Sequence, residues 1–297
     1  MKAERKQEKR QLLKLVKGKT KKEKRMNLLI SIITFCGLLF IIFPFLLVLM
    51  NSFKTNNEIS FNLLQLPEQL HFENYARAAG LMNYGRALRN TFIVTFVGCA
   101  ELVLFGSMTG YWLTRYRDKL NRFLYLLFIG AMALPFQATM IPFVKVMNNM
   151  GLTGNLAGVC LSYLGMCAPV TVVLVSGAVY AIPYDIEESG IIDGCNPLQL
   201  FFKIIMPNLK PIISTFTILN LFYIWNDYLL PFILLGVNKT NYTLQIALKK
   251  VAGEAGTGTR WDNMLPAIVL CLIPPIIMFL ISQKNIIEGM VSGAVKG

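Results

Sequence analysis

Charge is scarce in this sequence. Only 15% of its 297 residues are Asp, Glu, Lys or Arg, against roughly 25% in an ordinary soluble domain, which argues against a soluble globular enzyme. Acids are scarcer than bases, 16 against 29, and the formal charge is +13. A nucleic-acid surface or a membrane topology label would each explain that bias. Metal ligands are also few. His71 is the one histidine and no Cys-x-x-Cys pair occurs among the six cysteines, so neither a zinc site nor a disulfide framework is indicated. The phosphate-binding pattern G-x-x-x-x-G-K-[ST] is missing too. Gly253-Glu254-Ala255-Gly256-Thr257-Gly258 lies in a loop without the strand and helix that a phosphate cradle needs. No apolar run carries paired acids or a nucleophile with its base, which weighs against an intramembrane enzyme.

Apolar residues are abundant, 55% of the chain, and they come in runs. A helix needs about 20 mostly apolar residues to cross roughly 30 Å of hydrocarbon. Six runs qualify: 28–50, 91–114, 123–140, 156–180, 211–235 and 264–282. Together they fill nearly half the chain, too much for buried helices of a soluble core. Pro135 and Pro142 interrupt the third, and Pro274 with Pro275 the sixth. Membrane helices tolerate proline where neighbours satisfy the freed carbonyls. The first run is too long for a signal peptide, and Leu47-Val48-Leu49-Met50-Asn51-Ser52 offers no A-x-A-like cleavage site. It reads as an uncleaved span. The expected fold is an all-α polytopic membrane protein: a basic tail (1–26), a six-span transmembrane body (27–282) and a C-terminal tail (283–297).

Lys and Arg accumulate on the cytoplasmic side of short loops. With both termini inside, 20 of them fall on inner segments and 9 on outer ones. Both termini are therefore expected in the cytoplasm. The tail has no aromatics between its bases, so it reads as an inside-retention signal in contact with lipid headgroups, with no nucleic acid implied.

One inner loop breaks the positive bias. Residues 181–210 carry Asp185, Glu187, Glu188 and Asp193 against Lys203 and Lys210. Pro183 suits a first helical turn, Asp185 and Glu188 have capping-box spacing, and Gly194 can end the helix in a left-handed conformation. Asn196-Pro197 then reads as N-cap and first position of a second helix, 198–206, stopped by Pro207. The expected result is a helix-turn-helix at the membrane surface, with the apolar Ile186, Ile191 and Ile192 beside the acids of its first helix.

The loop resembles the E-A-A, three residues, G, nine residues, I-x-L-P motif of the membrane subunits of binding-protein-dependent ABC importers. It has Glu188-Ser189-Gly190, then Gly194, then Ile204-Ile205-Met206-Pro207. The spacing matches at every anchor, with Ser189 and Gly190 replacing the alanines and Met206 the leucine. Other matching stretches narrow the likeness to the carbohydrate-uptake, maltose-permease-like branch. They are Asn51-Ser52-Phe53-Lys54, Phe72-Glu73-Asn74-Tyr75, Asn90-Thr91, Gly110-Tyr111, Leu134-Pro135, Ile141-Pro142, Trp225-Asn226-Asp227 and Ser292-Gly293-Ala294-Val295-Lys296-Gly297.

The resemblance implies an importer subunit, not itself an enzyme, that encloses a sugar path with a second permease in a heterodimer. A cytoplasmic ATPase dimer would contact Asp185, Glu187, Glu188, Ser189, Gly190, Asp193, Gly194, Ile204 and Pro207, and also Ala294, Val295 and Lys296 of the tail. An extracytoplasmic solute-binding protein would deliver the sugar. No cofactor is expected on this chain, ATP and Mg belonging to the ATPase. Asp227, an acid inside an apolar run, is with Trp225 and Asn226 a candidate for the substrate path, helix-to-helix bonding being the competing reading. For Glu101, packing or a subunit interface is the reading preferred over a proton relay. The rival function is an ion-coupled secondary transporter, which leaves the acidic loop unexplained.

Overall fold

The computed structural model describes residues 21–236, 240–253 and 260–294, and every regular element among them is helical. Four helical stretches are long and apolar enough to cross a membrane: Arg25–Asn51, Tyr84–Arg115, Leu156–Tyr180 and Trp261–Gln283. They coincide with the first, second, fourth and sixth expected spans. Counting each bent pair of helices as one span raises the number to six.

In chain order, α1 (Lys21–Asn51), α2 (Asn56–Phe61) and α3 (Glu73–Met82) lead into α4 (Tyr84–Glu101). A π-helical turn, Leu102–Gly106, joins α4 to α5 (Ser107–Arg115), and together they make the second span. Such turns insert an extra residue and are frequent at functional sites. α1 presents its apolar residues outward along the whole span, from Leu28 to Leu49, as a lipid-facing helix would.

The third expected span, 123–140, is not one helix. α6 (Lys119–Met132) and α7 (Phe136–Asn149) meet at 116°. Pro135, with no N–H to continue α6 and an extended backbone (φ −67°, ψ 133°), starts α7 instead. Pro142 sits inside α7 without ending it.

α8 (Leu156–Tyr180) follows and is the hub, packed on α4, α5 and α6. Glycines set its closest approaches. A Cβ on Gly106 would lie 2.8 Å from Thr171, and one on Gly110 2.8 Å from two carbons of Val175 and 3.1 Å from the Val172 carbonyl. Small residues let membrane helices dock this closely.

α9 (Asp185–Ile192) begins the loop, and the second loop helix joins α10 (Pro197–Gln199), a π turn Leu200–Ile205 and α11 (Met206–Asn208). α12 (Lys210–Asn226) then turns away by 79°. The fifth expected span, 211–235, is likewise interrupted. α12 ends at Asn226, and α13 (Leu229–Leu235) starts after an extended Asp227. α14 (Leu244–Gly253) and α15 (Trp261–Ala294) complete the chain, α15 packing on α3, α12 and α14. The core contains the fully buried side chains of Trp225, Tyr163, Phe216 and Met82. At one end Arg77 of α3 bonds Asp262 and Asn263 of α15 at 2.9 and 2.6 Å, and Arg260 adds a second guanidinium to Asp262 at 2.8 Å.

Candidate functional site

The 181–210 loop forms two short helices joined by a tight turn. Gly194 makes that turn with φ +81°, a conformation that costs other L residues roughly 1–2 kcal/mol. Its N–H bonds the Ile191 carbonyl at 3.0 Å, and the N–H of Cys195 reaches Gly190 at 3.0 Å, closing the end of α9. Asn196 caps the second helix through a reciprocal capping box with Gln199, at 2.9 and 3.0 Å.

Two local expectations fail. Asp185 and Glu188 form no capping box. Tyr184 is already helical (φ −65°, ψ −29°) and no side chain caps α9, so Asp185 lies inside the first turn. Pro207 does not stop the second helix either. A π turn precedes it and the helix continues to Asn208, the widened turn accommodating a residue with no N–H.

The loop residues divide into two groups. Asp185, Glu188, Ser189, Asp193, Gly194 and Pro207 are exposed, and beside them the apolar side chains of Ile186, Ile191 and Ile192 stand 36%, 54% and 84% exposed. Gly190 and Glu187 are buried instead. A Cβ on Gly190 would lie 2.3 Å from the Cδ1 of Ile204 and 2.9 Å from that of Leu200. Glycine at this motif position thus makes room for Ile204, and the two loop helices press together.

Glu187 departs furthest from the expectation that it contacts a partner. Its carboxylate faces the bundle, where Tyr111 Oη donates to Oε2 at 2.9 Å and Arg115 Nε donates to Oε1. Arg115 Nη2 also bonds the Ile182 carbonyl at 2.9 Å. Sequence reasoning missed Arg115 and Tyr111. One counted only as a topology charge, the other only as part of a matching stretch, and nothing local ties either to an acid more than 70 residues away.

The path candidates separate in the same way. Trp225 is fully buried, its ring 5.0 Å edge-on from Phe92 and its indole N–H without a partner among the described residues. Asp227 Oδ2 accepts from Tyr163 Oη and Oδ1 from the Leu229 N–H, both at 2.9 Å. This is the helix-to-helix bonding reading, and it fixes the break between α12 and α13. Asn226 is exposed, its amide donating to the Phe222 carbonyl at 2.8 Å. Glu101, just before the first π turn, has a buried carboxylate oxygen with no hydrogen-bond partner among the described residues. Among the described residues no group of His, Cys, Asp and Glu could hold a metal ion. Residues 1–20 of the basic tail, the Gly-rich stretch from 254 to 258, and Val295 and Lys296 lie outside the described residues, as does the side chain of Ala294.

Bent and straight apolar helices around one hub, with a rigid acidic-apolar helix pair at one end, define a helical membrane permease. Residues 102–291 match the family of binding-protein-dependent transport system inner membrane components, and the chain belongs to that family. It is the permease of a binding-protein-dependent importer and a multi-pass membrane protein. Among curated relatives, it is 34% identical to the probable starch degradation products transport system permease protein AmyC of Thermoanaerobacterium thermosulfurigenes, over 89% of this chain and 96% of that one. It is 32% identical to the melibiose/raffinose/stachyose import permease protein MelC of Bacillus subtilis, over 86% and 91%. The fold matches a chain from the crystal structure of a bacterial ABC transporter involved in the import of the acidic polysaccharide alginate, with TM-score 0.78 at 23% identity, over 90% of this chain and 98% of that one.

Proposed function

We propose that this chain is one of two permease subunits of an ATP-driven importer of a sugar or oligosaccharide, coupled to a cytoplasmic ATPase dimer through the 181–210 loop. The observation that carries the reading is the exposed face of α9. Three isoleucines and two carboxylates, Asp185 and Glu188, stand outward on the helix, with Asp193 exposed just past its end, while its other side is fastened to the bundle. A short rigid helix of this kind fits a groove that offers apolar contacts and basic groups. A helix merely lying on an anionic leaflet would carry bases instead.

The sugar class is supported by the names of the relatives, which specify starch degradation products and the melibiose, raffinose and stachyose group. A solute-binding protein outside the cell delivers the sugar, and the second permease completes the path. In this arrangement the third span is the bent pair α6 and α7 and the fifth is α12 with α13, interrupted at Asp227, giving six, and both termini lie in the cytoplasm. ATP and Mg are handled by the ATPase. The tail residues Ala294, Val295 and Lys296 add a contact to it.

Affinity purification tests the coupling role. The tagged chain, expressed with its second permease and the ATPase, is expected to retain the ATPase, and Gly194→Arg is expected to lose it while keeping the second permease. Equal ATPase recovery with both chains would refute the assignment.

A further inference from the structure

We propose that Arg115, Glu187 and Tyr111 form a buried polar strut that transmits movement of α9 into the second span; the proposal deepens the coupling role of the 181–210 loop and rests on it. Arg115 and Glu187 are 13% and 3% exposed. The two oxygens of one carboxylate are held by two residues one helical turn apart, Tyr111 and Arg115. A single contact would let α9 pivot; two on successive turns of α5 fix both its height and its rotation. Arg115 also binds the Ile182 carbonyl where the chain enters the loop, and its guanidinium lies 5.9 Å from the centre of the Tyr184 ring.

The strut continues in both directions. Tyr111 meets the Phe201 ring of the second loop helix at 5.6 Å between centres, and Gly190 presses that helix against α9. Behind Tyr111, Gly110 lies against Val175 of α8, and Ser176 Oγ donates to the Gly110 carbonyl at 3.2 Å. The loop pair, α5 and α8 therefore form one body. A buried ion pair adds little stability over apolar packing of the same volume, and its best-attested use is to fix register. Register is what a transmitting element needs. Without the strut α9 would still be tethered by residues 181–184 and packed on the second loop helix, able to engage an ATPase but free to shift against α5. Arg115, Glu187 and Tyr111 are thus positioning residues; none of them needs to touch sugar or nucleotide.

The test uses the full complex of both permeases, the ATPase and the solute-binding protein in proteoliposomes, with sugar uptake and ATP hydrolysis measured together. Glu187→Gln keeps the side-chain volume and removes the charge. It is expected to retain the ATPase on purification and to hydrolyse ATP near the wild-type rate, while sugar moved per ATP falls roughly tenfold, within the range of ordinary couplings between sites. Tyr111→Phe should lower the same ratio by less. The reversed pair, Arg115→Glu with Glu187→Arg, should recover part of what Arg115→Glu alone loses. If Glu187→Gln does not assemble, Tyr111→Phe, which removes a single hydroxyl, carries the test. A ratio unchanged from wild type, or uptake and hydrolysis falling in proportion, would overturn the strut. A wild-type chain that retains no ATPase would overturn the loop's coupling role and the strut with it. A wild-type chain that couples normally beside an unaffected Glu187→Gln would overturn the strut alone.

Discussion

Replacing Gly110 tests whether the second span and α8 dock as closely as the structure places them. An alanine methyl there would stand 2.8 Å from both Cβ and Cγ1 of Val175 and 3.1 Å from the Val172 carbonyl. A backbone carbonyl and a β-branched side chain, stiff at χ1, cannot swing aside as the tip of a leucine can, so the helices must part. Overpacking of this kind costs about 1–3 kcal/mol, and the better helix propensity of alanine returns about 1 kcal/mol. Gly110→Ala should therefore cost about 0–2 kcal/mol net, and Gly110→Val, with two more carbons in the same gap, clearly more. Val175→Ala removes Cγ1 but keeps Cβ, so it relieves the contact in part. Val175 is fully buried, so alone it should cost about 1–3 kcal/mol as a cavity. In the pair the new methyl partly fills that cavity, and the double variant should cost less than the sum by about 1 kcal/mol, within the usual range for touching residues. The assay is thermal unfolding of the purified subunit in detergent, followed by size-exclusion recovery or intrinsic fluorescence, for the four members of the cycle. Strict additivity, or a Gly110→Val chain as stable as the parent, would refute the close approach.

Other outcomes follow from single contacts. Gly194→Ala should lower stability by about 1–2 kcal/mol through its φ of +81° yet still bind the ATPase, because no atom of the described residues crowds that position; calorimetry beside the purification assay separates the two effects. Asp227→Ala strips partners from Tyr163 and the Leu229 N–H and should cost about 1–3 kcal/mol in unfolding. Asn226→Ala, at an exposed position, should leave the unfolding midpoint unchanged and alter uptake only if that face lines the path. The N–H of Thr55, then its hydroxyl and the N–H of Glu68, hold the Glu58 carboxyl below the usual carboxylate range. A carboxylate depressed in the folded state stabilises above its unfolded pKa, and that contribution disappears as pH falls through the folded one. Stability should thus decline on the acid side, and Glu58→Gln should flatten the decline in a pH series of melting curves.

Four spans were legible because long apolar runs are the strongest local signal in a sequence. The third and fifth were not, for different reasons. Pro135 was visible as an interruption, but a proline inside a membrane helix can kink it or end it, and only the surrounding packing decides. The break at Asp227 depends on Tyr163 of α8 and on the Leu229 N–H accepting the role of partners, of which the first is beyond any local pattern. In the loop, the turn at Gly194 and the cap at Asn196 were readable because both rest on neighbours within a few residues. The inward direction of Glu187 was not. Four acids in a short stretch look alike in sequence, and which of them faces the bundle depends on Arg115 and Tyr111 of another helix. For the same reason the packing of Trp225, a substrate-path candidate, against Phe92 in the core was not visible in the sequence.

In the mechanism proposed above, transport through this chain is driven by ATP on a separate subunit and transmitted through the 181–210 loop. The most direct measurement is uptake of labelled oligosaccharide into proteoliposomes holding both permeases and the ATPase, with solute-binding protein outside, ATP inside and ion gradients collapsed by ionophores. With this mechanism, uptake requires ATP and binding protein, survives the ionophores and is lost with Gly194→Arg. Uptake by this chain alone, driven by an imposed ion gradient and indifferent to ATP, would contradict it.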